Sequence, residues 1–244
     1  MCGRFTVKAP PEEIEAAFEL FREPEWEPRY NIAPSQPVGA VRLVNGQRAW
    51  TLFRWGLIPS WAKDEKIGYR MINARGETIH EKTSFCAAFK RRRCLIVADG
   101  FYEWQRSGSS GKSGTKSKQP FHIRRTDQQM FAFAGLWECW TPPDGSELES
   151  CTIVTAEANE LLAPIHDRMP VILSPDEYDL WLDPEIDAEA LRQLLDPHPA
   201  ADFEIYPVST DVNNARTERP GLDLRLKEPG ESRPRQTLLS FDDE

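Results

Sequence analysis

The amino-terminal pentapeptide MCGRF places a thiol at the second position, followed by the smallest residue and then a cation. Loss of Met1 would expose the α-amine of Cys2 beside its own thiol and create a 1,2-aminothiol. An α-amine has a pKa of about 7.7–8.0 and a cysteine thiol one of about 8.5, so both groups are partly nucleophilic near neutral pH. Two interpretations are open on these residues: a nucleophile at Cys2, or the ordinary start of a first β-strand.

Three further stretches carry polar side chains that are suited to proton transfer: MINARGET (71–78), ADGFYEW (98–104) and IHDRMPVIL (165–173). Their candidates are Asn73, Glu103 and His166. Each has a structural alternative, namely a turn asparagine, an exposed glutamate on an edge strand and a hydrogen-bonding histidine beside Asp167. The aromatic neighbours of Glu103 favour chemistry, because an apolar setting raises the pKa of a carboxyl group and lets it transfer protons.

The elements that must position these residues are mostly strands. Residues 11–21 predict a short amphipathic helix, and AVRLV and QRAWTLFRW flank the dipeptide Asn45-Gly46, which fits a two-residue hairpin turn. Short helical spacing recurs at 157–163, 176–182 and 187–195. Runs of strands with few helices between them predict an α+β fold with curved antiparallel sheets rather than a parallel βαβ sheet. The other predicted strands are 93–98, 101–105, 120–125, 130–137, 151–156, 170–173 and 203–208.

Length and composition limit the possibilities further. The 244 residues suffice for one large domain, and they contain no 18-residue apolar run and no secretion signal pattern, so a cytoplasmic protein without membrane contact is expected. The odd number of five cysteines and the lack of a CxxC pair argue against a disulfide framework and a zinc site. Buried free thiols are the expectation for Cys86, Cys94, Cys139 and Cys151.

The net charge of −9 is unevenly distributed along the chain. Residues 176–204 contain ten acidic residues and one basic residue, whereas residues 86–125 contain ten basic residues and two acidic residues. The overall acidity therefore does not exclude a basic groove that follows phosphates. A solvated basic surface without a nucleic-acid partner is the alternative.

Together the four motifs resemble the SOS-response-associated peptidase (SRAP) family of abasic-site processing proteins. The resemblance extends through RYNIAPSQ (29–36), FRWGLIPSW (53–61) and IVTAEAN (153–159), and it runs from Cys2 to about Asn214. It implies one SRAP-like domain over residues 2–219, with an open barrel-like core of curved sheets, short flanking helices and no metal or organic cofactor. Residues 220–244 are too poor in apolar side chains to fold alone and predict a flexible tail.

The resemblance also implies an activity. In that family the amine of the processed Cys2 attacks the aldehyde of an abasic site in single-stranded DNA, and the thiol then closes a thiazolidine ring, which shields the site during replication and the DNA damage response. Proximity makes the second addition effectively unimolecular. Asn73, Glu103 and His166 match the family's active-site residues. The same residues would remove Met1 by hydrolysis, the origin of the peptidase label, and would permit strand cleavage by β-elimination, an abasic-site lyase activity.

For DNA binding, the resemblance implicates residues outside the catalytic set. Arg4 and Arg75 are expected to meet phosphates, and exposed aromatic faces stack on unpaired bases. Some relatives carry a second aromatic residue after the equivalent of Trp61, where this chain has Ala62. The remaining candidates are Asn31 and Pro34 in the segments that line the family's bound strand, and Arg91 and Arg92 in the basic run 90–93.

The C-terminal sequence RQTLLSFDDE contains a weak match to the QxxLxF pattern of peptides that dock on replication sliding clamps. Its candidates are Gln236, Leu239 and Phe241, because a leucine and a phenylalanine on a tether can fill an apolar pocket. The expected partners are therefore single-stranded DNA with abasic sites and, through this tail, a clamp. A monomer is expected, located in the cytoplasm and with the nucleoid in a prokaryote.

Two other classes of protein also fit part of the pattern. Glutamine amidotransferases with an N-terminal nucleophile also begin Met-Cys-Gly, but they predict a layered α/β/β/α fold with longer helices, which the strand-rich pattern disfavours. A non-catalytic single-strand-binding module would need only the basic segment and the aromatic residues, and it leaves Cys2 unexplained. It predicts complexes that salt reverses.

Overall fold

The computed structural model describes residues 2–105 and 118–226, and these residues form thirteen strands and three α-helices. No helix within these two ranges has the length and apolar character that a bilayer crossing requires. The helices are Pro11–Phe18 (α1), Cys86–Arg91 (α2) and Tyr178–Leu182 (α3). The strands are Phe5–Val7 (β1), Arg29–Ile32 (β2), Pro37–Val44 (β3), Gln47–Trp55 (β4), Asn73–Arg75 (β5), Arg93–Ala98 (β6), Gly100–Trp104 (β7), Pro120–Arg125 (β8), Phe131–Trp140 (β9), Leu148–Glu157 (β10), Arg168–Pro170 (β11), Ile172–Leu173 (β12) and Phe203–Pro207 (β13).

The β3–β4 hairpin forms around the predicted turn. Asn45 and Gly46 both have positive φ angles, 52° and 78°, as a type I′ turn requires. The strands then pair in unbroken register from Val44 opposite Gln47 to Pro37 opposite Arg54. Local sequence was therefore sufficient to predict this part of the fold.

The larger sheet closes into a barrel because β10 pairs with strands on both of its edges. It runs parallel to β4 and then to β5 on one edge, and antiparallel to β9 and then to β11 on the other. The pairings β4–β3, β3–β6 and β6–β9 complete the ring. The predicted α+β class with curved sheets and short helices in one domain is confirmed, although the two parallel pairings depart from the expected antiparallel pattern.

The second sheet has the order β13-β8-β7-β1-β2 and packs against the barrel through aromatic side chains. Phe5 of β1 lies edge-on to Trp55 of β4 and to Phe133 of β9, with ring centroids 5.2 Å and 5.7 Å apart. Such edge-to-face pairs contribute about 0.5–1.5 kcal/mol beyond the apolar area they bury. The strand that follows Cys2 is thus fixed in the centre of the core.

The helices are shorter than the periodicity predicted. The first helix ends at Phe18, because Glu19 adopts a left-handed conformation with φ of 51°, and Phe21 is consequently exposed. The segment 157–163 forms no helix and consists mainly of turns, and the segment 187–195 forms only a 3₁₀ helix at Ala190–Leu195. A short run of apolar residues spaced three or four positions apart did not distinguish an α-helix from turns or a 3₁₀ helix, because these also bury side chains at such a spacing.

The C-terminal boundary and two of the thiols also differ from the expectation. The folded region extends past residue 219, because Leu222 is fully buried and Asp223 forms a 2.7 Å ion pair with Lys8. Tertiary contacts with the second sheet provide the anchoring that the composition of the segment 220–226 did not reveal. Cys94 and Cys151 are buried as expected, but two cysteines are only partly buried: Cys86 and Cys139.

Candidate active site around Cys2

Cys2 lies three residues before the start of β1, and its side chain is fully buried. The Nδ2 group of Asn73 donates a 2.8 Å hydrogen bond to the carbonyl oxygen of Cys2, and the Cys2 Sγ lies 3.9 Å from the carbonyl oxygen of Arg4. Burial, and then the negative charge of Glu103, raise the pKa of the Cys2 thiol far above its ordinary value. The sulfur is therefore a neutral thiol at neutral pH.

Two strand pairings bring the sequence motifs to Cys2. The first joins β1 to β7: Phe5 lies opposite Phe101, and Tyr102 donates its N–H to the carbonyl oxygen of Arg4 at 2.9 Å. The second joins β5 to β10 at Asn73 opposite Ile153, next to the pairing of β10 with β11. The stretches that carry Cys2, Asn73, Glu103 and His166 therefore converge although up to 164 residues separate them.

Glu103 supplies a buried carboxyl group to this site. Its residue is only 3% exposed, on β7. Burial raises the pKa of Glu103, and the charge of Asp167 acts in the same direction. A carboxyl group with a raised pKa exchanges protons near neutral pH more readily than an ordinary one, which suits a general acid or base.

His166 lies just before β11, where its ring nitrogen Nδ1 has two neighbours at 3.0 Å. One is the backbone N–H of Arg168 and the other is the Asp167 carboxylate. A neutral imidazole accepts from the Arg168 N–H through Nδ1 and carries its proton on Nε2, and an imidazolium can turn its Nδ1 proton towards Asp167. In both forms Nε2 bears a proton that can be donated.

The Asn73 side chain has a polar atom without a partner among the described residues. The Oδ1 atom of Asn73 is buried and accepts no hydrogen bond from residues 2–105 or 118–226. A buried acceptor without a donor costs about 1–3 kcal/mol. A donor on a bound molecule would remove that cost.

Arg4 is held on the other side of Cys2 by partners that sequence reasoning did not foresee. One nitrogen, Nη1, donates to Asn31 Oδ1 at 2.7 Å and to the carbonyl oxygen of Val212 at 2.8 Å. The guanidinium carbon also lies 5.7 Å from the ring centroid of Trp104. Both hydrogen bonds use Nη1, and Nε is buried without a partner among the described residues.

Asn31 is fully buried, and its amide is occupied within the protein. Its Nδ2 donates to the carbonyl oxygens of Thr217 at 2.7 Å and Asn214 at 3.1 Å, while its Oδ1 accepts from Arg4. The structure therefore gives Asn31 no exposed atom for a DNA strand, contrary to the expectation from the resemblance. It anchors Arg4 instead.

We expect Asn31→Leu to destabilise the fold by about 1–3 kcal/mol and to weaken binding of an intact single-stranded oligonucleotide, because Arg4 and two carbonyl groups lose their partner. Thermal unfolding and fluorescence anisotropy measure the two effects. Weaker DNA binding with unchanged stability would instead identify Asn31 as a direct DNA contact.

The other predicted DNA contacts lie at the surface. The Trp61 side chain is 57% exposed, Arg75 is exposed at the end of β5, and Pro34 is half-buried in the turn after β2. An aromatic residue missed from the sequence is Tyr69, which is 58% exposed with the Arg54 guanidinium 5.4 Å from its ring centroid. In the sequence, the position of Tyr69 four residues before Asn73 was the signal that could have marked it as a candidate DNA contact.

The basic run 90–93 lies apart from Cys2 and is not a uniform surface. The strand register runs across four neighbouring strands, from Cys94 to Gly135, Ile153 and Asn73. Three interstrand spacings therefore separate the end of the basic run from Asn73, about 14 Å along the sheet. Arg91 is exposed, and Arg92 forms a 2.6 Å ion pair with Glu138.

Arg93 departs furthest from the expectation of a phosphate-binding run. It is only 3% exposed, and its guanidinium donates to four backbone carbonyl groups. Its charge faces the interior and is unavailable to a phosphate. The clamp-motif candidates Gln236, Leu239 and Phe241 lie outside the described residues.

Comparisons with known proteins find relatives over most of the chain. The profile of the SOS response associated peptidase (SRAP) family matches residues 1–215. The abasic site processing protein YoqW of Bacillus subtilis is 45% identical over 226 residues, which cover 91% of this chain and 98% of YoqW. The abasic site processing protein HMCES of Xenopus tropicalis is 34% identical over 267 residues, covering 90% of this chain and 77% of HMCES. An X-ray structure of a protein from Bacteroides thetaiotaomicron matches with a TM-score of 0.81 at 25% identity, covering 93% of this chain and 100% of that one.

Proposed function

Because this chain belongs to the SRAP family of abasic site processing proteins, we propose that it captures abasic sites in single-stranded DNA by a covalent bond to Cys2. The observation that carries the proposal is the convergence on Cys2 of an asparagine amide, at 2.8 Å from the Cys2 carbonyl oxygen, and a buried carboxyl group with a raised pKa. An aminothiol in such a site has a base beside its sulfur and a donor beside its backbone.

The order of the two bond-forming steps follows from the protonation of the sulfur. With Met1 removed, the neutral amine attacks the aldehyde carbon of the ring-opened sugar, and loss of water leaves a Schiff base. The thiol then adds across the C=N bond, forming the C–S bond. Its proton passes to the nitrogen, and Glu103 is the group that carries it. The thiol reacts after the amine because burial and the negative charge of Glu103 raise its pKa and keep it protonated.

The other site residues complete the reaction. His166 would protonate the ring oxygen of the sugar as the ring opens, using the proton on Nε2. Asn73 would fix the Cys2 backbone through Nδ2, and its unpartnered Oδ1 would accept from the captured sugar or the new ring nitrogen. Arg4 and Arg75 would hold the flanking phosphates and Trp61 an unpaired base, with the more distant Arg91 and Arg92 as outlying contacts.

Two further reactions would use the same groups. Water activated by Glu103 would hydrolyse the peptide bond between Met1 and Cys2 and so generate the amine. β-Elimination from the Schiff base would cleave the DNA strand, in competition with ring closure by the thiol. The competing proposal of a glutamine amidotransferase is disfavoured by the closed barrel, which is not a layered α/β/β/α arrangement.

The proposal is tested by incubating the purified protein, with Met1 absent by mass spectrometry, with a single-stranded oligonucleotide that carries one abasic site. A slower band is expected on a denaturing gel. The matched controls are the same oligonucleotide without the abasic site and a variant with an alanine inserted before Cys2, and neither should give the band. Absence of the band with the native terminus, or complexes that salt alone dissociates, would overturn the proposal.

A further inference from the structure

Glu77 and Arg168 connect two of the motifs that meet at Cys2. The Arg168 guanidinium contacts both carboxylate oxygens of Glu77, with Nη1–Oε1 at 2.5 Å and Nη2–Oε2 at 3.0 Å. The same Nη2 donates to the carbonyl oxygen of Thr155 at 2.5 Å and lies 3.2 Å from its hydroxyl. A paired guanidinium of this kind has one fixed orientation.

The backbone of Arg168 reaches the candidate proton donor. Its N–H lies 3.0 Å from His166 Nδ1, and its Cα is paired with Glu157 in the β10–β11 ladder. A hydrogen bond from a backbone N–H to Nδ1 places the proton of a neutral imidazole on Nε2. The residue that sets this tautomer is therefore held at both ends, by the ladder and by its guanidinium.

Thr155 extends the connection to Asn73. It pairs with Arg75 in the β5–β10 ladder, and its hydroxyl donates to the carbonyl oxygen of Ala74 at 3.3 Å. Glu77 follows β5 directly in the 3₁₀ helix Gly76–Thr78. The strand that carries Asn73 and the loop that carries His166 thus share one anchor.

We propose that the Glu77–Arg168 ion pair is a positioning device that fixes His166 in its Nε2–H form and at a set distance from Asn73. The inference rests on the proposed function for its catalytic consequence. The pair is only partly exposed, with 49% of the Glu77 side chain and 12% of the Arg168 side chain accessible, so it also contributes to folding stability. Its bidentate geometry and its place between two motifs suit a role in orientation.

The test uses Glu77→Gln and Arg168→Lys, which keep a similar size and a polar end group but remove the bidentate pairing. The matched control is Asp127→Asn, because Arg125 and Asp127 form another bidentate surface pair, with contacts of 2.9 Å and 2.5 Å. The readouts are the ¹⁵N tautomer spectrum of His166, assigned with His166→Gln, the rate of covalent capture, and the affinity for an intact oligonucleotide.

We expect both variants to give a mixed tautomer at His166 and to lower the capture rate by about tenfold. This reduction is smaller than the 10²–10⁴-fold rate enhancement that a general acid supplies. For Glu77→Gln, affinity for the intact oligonucleotide should stay within twofold of the Asp127→Asn value, and thermal unfolding must show that each variant is folded at the assay temperature. An unchanged tautomer, or a capture rate that matches the control, overturns the inference. If the wild-type protein captures no DNA, the proposed function fails, while the tautomer spectrum still decides whether the pair positions His166.

Discussion

Replacing Cys2 with serine is expected to eliminate the DNA–protein band on a denaturing gel while preserving a Schiff base that borohydride reduction can trap. Serine keeps the α-amine, which attacks the aldehyde, but its hydroxyl is a much weaker nucleophile than a thiol and cannot close a stable ring. The comparison separates the two nucleophiles of the aminothiol, which no deletion of the whole residue would do. Mass spectrometry must first establish that Met1 is absent from the variant.

Cys139→Ser is the matched control for Cys2→Ser, because Cys139 is a partly exposed thiol that lies outside the site. It should give the full band with unchanged kinetics. Two results would contradict the mechanism: a stable band from Cys2→Ser without reduction, or loss of the band from Cys139→Ser with the fold intact. Either result would mean that a nucleophile other than the Cys2 sulfur forms the covalent bond to DNA.

Arg93→Met is expected to be the most destabilising substitution in the basic run, by about 3–5 kcal/mol, since each buried carbonyl group left without a donor costs about 1–3 kcal/mol. The guanidinium donates to the carbonyl oxygens of Trp181 at 2.6 Å, Phe89 at 2.6 Å and Lys90 at 2.7 Å, and to that of Asp183. Methionine fills a similar volume but leaves these carbonyl groups without a donor. The thermal midpoint should fall by about 6–20 °C.

Arg91→Met provides the comparison, since Arg91 is exposed two positions earlier and its side chain makes no hydrogen bond within the described residues. It should leave the thermal midpoint unchanged and weaken DNA binding slightly at low salt, if at all. Loss of DNA affinity without loss of stability in Arg93→Met would restore the original interpretation of Arg93 as a phosphate ligand.

The two arginines also show how far sequence reasoning reaches. They have the same side chain and almost the same position, yet α3 packs beside only one of them, and that helix lies about 90 residues later in the chain. Local patterns contain no information about such a contact. The β3–β4 hairpin, by contrast, was predictable because its turn chemistry is entirely local.

The residues of the site also divide into those that the sequence could predict and those that it could not. Residue types within ordered motifs predicted Cys2, Asn73, Glu103 and His166 as the candidate site, because the proposed chemistry requires particular functional groups. The residues that support them gave no comparable signal. The role of Asn31 depends on carbonyl groups of the segment 214–217, and that of Glu77 depends on Arg168, 91 residues away. Such partners are defined only by the folded chain.

The ion pair between Lys8 and Asp223 has a consequence for protein synthesis. Cys2 and β1 are synthesised before the groups that anchor this part of the chain, namely β7, the carbonyl group of Val212, which binds Arg4, and Asp223, which pairs with Lys8. At translation rates of about 5–20 residues per second, the nascent amino terminus stays accessible for roughly ten seconds or more before the last of these anchors exists. The proposed hydrolysis of the Met1–Cys2 bond by water and Glu103 therefore cannot begin until β7 has been synthesised and has paired with β1.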